Sequence, residues 1–150
     1  MPDDTDHDSD DEEQQCRDIR RDNVTLLGEF SIWLARNGLS DATVGSHRFN
    51  LDFYLNHFLL YGDTLRATDG VCYVSEFLGD WFLRKATWST KASVKANAAS
   101  LKKFYTFMAE KGMITAEELA ALKQEIKEQM PQWLDTLERY DNVDLDFDDI

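Results

Sequence analysis

The sequence predicts an all-α protein: a compact bundle of helices with a C-terminal helical extension and acidic ends. Three observations carry that reading. Apolar residues recur at i, i+3, i+4 and i+7 in one stretch after another. No stretch alternates apolar and polar residues with period two over a useful length. The 150 residues include only seven Gly and two Pro, few breakers for a chain of many short elements. Hydrophobic residues make up 43% and aromatics 12%, enough for a packed interior. The length suits one domain with its own core and loose ends. The chain divides into an acidic disordered tail over 1–22, a helical domain over 23–114, a helical extension over 115–140 and an acidic tail over 141–150.

The first stretch, "DDTDHDSDDEE", has no apolar residue to bury and reads as solvated. Asp22 or Asn23 can cap a first helix running to Asn37, with Leu26, Leu27, Phe30, Trp33 and Leu34 as its stripe. Gly38 supplies a left-handed stop. Ser40 then caps a second helix to about Tyr61, ended by Gly62, whose core face is Val44, Leu51, Leu55, Phe58 and Leu59. Phe49, Phe53 and Leu60 lie off that face and either meet the fifth helix or mark an interface. Thr68 or Asp69 opens a third helix carrying Val71, Val74, Phe77, Leu78, Trp81 and Phe82. Thr87-Trp88 breaks it, and Ser89 caps a fourth. Thr115 and Glu118 form a capping box for a fifth, which Pro131 ends or kinks before a last short helix over "QWLDTLERY".

The formal net charge of −13 is concentrated at the ends. Residues 1–23 carry −7 and residues 141–150 carry −5, whereas 24–140 hold 14 acids and 13 bases. Seven of those bases (Arg84, Lys85, Lys91, Lys95, Lys102, Lys103 and Lys111) fall within 28 residues that contain one acid, Glu110. A basic segment in an acidic protein bears on partners rather than on fold.

Most of that segment is the fourth helix, "WSTKASVKANAASLKKFYTFMAEKG". At about 100° per residue from Lys91, the residues Val94, Leu101, Phe104, Tyr105 and Met108 occupy an arc of roughly 220–320°, the core face. Lys91, Lys102 and Lys95 fall at about 0°, 20° and 40°, one narrow row flanked by Ala98 and Ala99, while Lys103 lies at about 120°. A row of cations beside small residues is a surface that a nucleic-acid backbone can approach. The competing reading is a solvated face that gives solubility alone. A flexible N-terminal tail of fifteen residues, spanning roughly 20–25 Å, could compete with phosphate for the row.

Two stretches also resemble the N-terminal SAM-like core-binding domain of tyrosine recombinases (phage integrases). "FSIWLARNGLSDATVGSHRFNLDFYLNHF" is similar to the family's apolar helix, G-L-S-x-x-T turn and aromatic-rich second helix, through Gly38, Leu39, Ser40 and Thr43. "WSTKASVKANAASLKKFYTFMAEKGMI" is similar to its capped helix ending in Gly and an apolar residue, through Ser89, Leu101, Phe104, Tyr105, Gly112 and Ile114. The resemblance covers about residues 24–114. It implies four core helices packed on one side of duplex DNA, with the starts of the second and fourth helices facing it. By position that points to Thr43, Ser46, His47 and Arg48, and to Lys91, Lys95 and Lys102.

The chemistry of that family is not carried over. Recombination needs a tyrosine nucleophile with arginines, a lysine and a His-x-x-Arg box. Here Tyr140 has no arginine constellation and reads as a packing residue, and neither His47 nor His57 begins such a box. Asp144, Asp146 and Asp148 start like a calcium loop but lack its glycine and its final glutamate. His7 among aspartates reads as part of a solvated tail. Cys16 and Cys72 show no metal spacing and read as reduced thiols. No enzyme activity, metal, cofactor or small-molecule substrate is expected.

The start lacks a secretory signal and no apolar run is long enough to span a bilayer, so the expected location is cytoplasmic. The expected function is a non-catalytic module that binds duplex DNA, in integration or recombination or its regulation. The alternative is a protein-interaction module that pairs with a second copy or with a catalytic recombinase or other basic protein. Phe49, Phe53, Leu60 and the segment Val143–Ile150, an unstructured or docking end, favour that alternative.

Overall fold

Every regular element among the described residues is helical, as the periodicity predicts. The computed structural model describes residues 3–86 and 88–148, with side chains for 10–86 and 88–140. The chain divides into two compact units, Met1–Gly70 and Val71–Ile150, so the division falls inside the stretch 23–114 read above as one helical domain.

In the first unit, α1 (Asp3–Arg36) packs on α2 (Asp41–Asp52) and on the π-helical turn Phe53–Phe58 that prolongs it. The first helix therefore does not start at Asp22 or Asn23, and α1 runs through most of the stretch expected as a tail. Ile19 extends the stripe of Leu26, Leu27, Phe30 and Leu34 two turns towards the N-terminus and is 2% exposed. Gln14 Nε2 donates to Asp18 Oδ1 at 3.0 Å and Arg17 donates to Gln14 Oε1 at 2.8 Å. Such neighbours stabilise a helix by a few tenths of a kcal/mol each. The density of acids masked this single apolar anchor.

Asn23 is not a cap either. It lies within the buried stripe, where its Nδ2 donates to Asn56 Oδ1 at 2.8 Å. Asn56 in turn donates to Asp52 Oδ1 at 2.7 Å. A buried amide is tolerated because it is bonded in this way.

Ser40 caps α2 as expected, its Oγ accepting from Thr43 N at 3.3 Å, and Gly38 before it has φ 87°. Beyond Asp52 the helix widens, with Leu59 N donating to Tyr54 O at 3.0 Å. Leu51, Leu55 and Leu59 are buried, while Val44 and Phe58 are half-buried. Tyr54, absent from the predicted face, is fully buried and donates its phenol proton to Gly70 O at 2.6 Å.

The predicted third helix is four pieces in sequence. They are a 3-10 turn Asp69–Cys72, α3 (Val74–Glu76), a π-helical turn Phe77–Trp81 and α4 (Phe82–Lys85). Its apolar residues Val71, Val74, Phe77, Leu78 and Phe82 are still buried.

In the second unit, α5 (Lys91–Glu110) and α6 (Ala116–Asp148) pack together, and α6 also meets α3 and the π turn Phe77–Trp81. Thr90, not Ser89, caps α5. Its Oγ1 accepts from Ser93 N at 3.1 Å while Thr90 N donates to Ser93 Oγ at 2.7 Å. Ser93 here plays the reciprocal part that Glu or Gln usually takes. Thr115 and Glu118 form the expected box at the start of α6, both bonds being 3.0 Å.

Pro131 does not end α6. It removes the donor for the Lys127 carbonyl, but Pro131 is exposed, so water can take that place. The expected last short helix is the continuation of α6. Leu122, Ile126, Trp133 and Leu137 form its buried stripe, and Ser75 Oγ donates to Glu125 Oε1. Tyr140 continues the stripe but is 42% exposed, so it is not the packing residue expected.

The acidic segment 141–150, with Asp144, Asp146 and Asp148, and His7 lie outside the residues whose side chains are described. No helix among the described residues is long and apolar enough to cross a membrane.

Candidate nucleic-acid interface

The seven expected DNA-facing residues fall in both units: Thr43, Ser46, His47 and Arg48 on α2, and Lys91, Lys95 and Lys102 on α5. On α2, Thr43, Ser46 and His47 share an arc of about 100°, and Arg48 lies on another side. Thr43, Ser46 and Arg48 are exposed, whereas His47 is half-buried. Ser46 donates its hydroxyl proton to Ala42 O at 3.1 Å, so it faces outward with lone pairs that repel a phosphate oxygen. Thr43 Oγ1 accepts from Ser40 Oγ at 3.0 Å and keeps its own proton for an outside acceptor. Arg48 has no ion-pair partner within 4.0 Å among the described residues.

On α5 the predicted core face is buried throughout, together with Asn97, Ser100 and Phe107. Asn97 is accommodated there because its Nδ2 donates to Ser93 O at 2.8 Å. The buried half of the helix reaches Ala98, which is 1% exposed, so the lysine row stands on the rim of the packed face rather than on an open outer one.

The three lysines of the row differ. Lys91 Nζ is 3.8 Å from Glu138 Oε2 on α6. Lys95 is exposed, with no carboxylate within 4.0 Å among the described residues. Lys102 is half-buried and lines a groove of about 530 Å3 with Lys123, Ile126, Lys127, Met130 and Pro131. Since Lys91 lies by Glu138 of α6 and Lys102 by the earlier stretch Lys123–Pro131, the two helices run antiparallel.

The charge of the 84–111 segment is therefore smaller in the structure than in the count. Arg84 is held by Asp80 through two bonds of 2.8 and 3.0 Å, and Lys91 is shared with Glu138. Lys123 and Lys127 are additions the sequence reading did not make. Their i, i+4 spacing was visible, but only the packing of α6 on α5 brings them beside Lys102.

No group of three or more His, Cys, Asp or Glu among the described residues is placed to hold a metal ion. Compared with protein-family models, curated proteins and solved structures, the chain has no match in any of the three.

Proposed function

We propose that this protein is a non-catalytic module that binds duplex DNA through its phosphates. The observation that carries the proposal is Lys95: an exposed lysine on the rim of α5, with no carboxylate within 4.0 Å among the described residues, and with Lys91 and Lys102 on the same row. Lys95 and Lys102 supply the main contacts, Lys91 a weaker one because Glu138 competes for it. Arg48 and Thr43 on the first unit are the donors best suited to a second set of phosphates. The resemblance of residues 24–114 to recombinase core-binding domains supports the same choice of helices, and a role in DNA integration or recombination, without the chemistry, is part of the proposal.

About three to four neutralised phosphates predict a log–log salt slope of roughly −2.7 to −3.6. Between about 50 and 200 mM salt, binding then weakens roughly 40- to 150-fold. Fluorescence anisotropy of a labelled random duplex at the two salt concentrations measures this. A slope near zero, or no binding at the lower salt, refutes the proposal.

A further inference from the structure

The geometry of the α5–α6 groove points to a second binding site, which we infer receives the C-terminal acidic segment of another copy of this chain. Lys102, Lys123 and Lys127 stand around Ile126, Met130 and Pro131. None of the three lysines has a carboxylate within 4.0 Å among the described residues. A phosphate backbone could answer the cations, but it would leave the apolar floor uncovered. A peptide that carries carboxylates and apolar side chains together answers both.

Residues 141–150, "DNVDLDFDDI", have that composition: five carboxylates, no base, and Val143, Leu145, Phe147 and Ile150. The groove, at about 530 Å3, is large enough to receive apolar side chains of such a segment. The same chain does not bring this segment back to its own groove. α6 passes through the groove at Lys123–Pro131 and continues to Asp148, and its rise carries residue 145 about 21 Å beyond Pro131. A second copy supplies the segment, and reciprocal exchange makes a two-fold pair. The inference does not rest on DNA binding. Lys102 is the one residue shared with the DNA row, and Lys95 lies outside the groove.

The test uses the full chain and two double variants, Lys123→Glu/Lys127→Glu in the groove and Val143→Ser/Phe147→Ser in the segment, positions four residues apart on α6. Sedimentation equilibrium at low salt, about 50 mM, is expected to show a dimer that both variants lose. Mixing the two variants restores association, because each retains the half that the other lacks. A fluorescein-labelled peptide of residues 141–150 should bind the segment variant, whose groove is intact, at least about tenfold more tightly than the groove variant. Circular dichroism monitors helix content, and both lysines are exposed, so folding is expected to persist. A wild-type chain that stays monomeric up to about 100 μM, a dimer indifferent to the groove charges, or equal peptide affinity overturns the inference. So does a groove variant that weakens duplex binding while leaving the mass unchanged, since the groove then belongs to nucleic acid.

Discussion

Glu138 Oε2 lies 3.8 Å from Lys91 Nζ, and the two side chains are equally exposed at 57%. At that exposure the pair contributes at most about 1 kcal/mol, so it attenuates Lys91 rather than cancelling it. Glu138→Gln removes the competitor and is expected to tighten duplex binding by up to about fivefold. Thermal stability should change little. An anisotropy titration that finds weaker binding in this variant counts against Lys91 as a phosphate contact.

Lys95 and Lys103 form a matched pair of exposed lysines on one helix, separated by about 80°. Lys95→Ala should reduce the magnitude of the salt slope by about 0.9, whereas Lys103→Ala should leave it unchanged. Equal effects from the two would mean that α5 acts as diffuse charge, with no row.

Two glycines on different helical segments should respond to alanine with opposite signs. A Cβ on Gly79 would stand 2.7 Å from Trp133 Nε1, and Trp133 is buried, so its ring has little room to withdraw. Gly79→Ala is expected to destabilise by about 1–3 kcal/mol, partly offset by the up to about 1 kcal/mol that alanine contributes to a helix. Gly45 on α2 is exposed with nothing within 4 Å, so Gly45→Ala should stabilise by about 0.5–1 kcal/mol. Urea unfolding of both variants checks the opposite signs.

Tyr54→Phe keeps the ring and removes the 2.6 Å bond to Gly70 O. Gly70 is buried, so its carbonyl loses a partner that water cannot easily replace. A loss of about 1–3 kcal/mol is expected, measured as a lower urea midpoint at unchanged slope. A neutral result would show that the carbonyl finds another donor.

The sequence by itself determined the helical class, the stops at Gly38 and Gly62, the caps at Ser40 and Thr115, and the buried arc of α5. These follow from neighbours within about four residues, which periodicity and capping chemistry report directly. Even some local features escaped. Asp80, which holds Arg84, lay just outside the charge window, and Ser93 is an unusual capping-box partner for Thr90. Only the tertiary structure decided how much of the lysine row is free. Glu138 is 47 residues from Lys91, and Lys123 and Lys127 reach Lys102 only because α6 folds back along α5. The same holds for Asn23, a cap by its sequence context but a core residue once Asn56 meets it. Charge and hydrogen bonding act through space, and separation along the chain does not encode that distance until the helices pack.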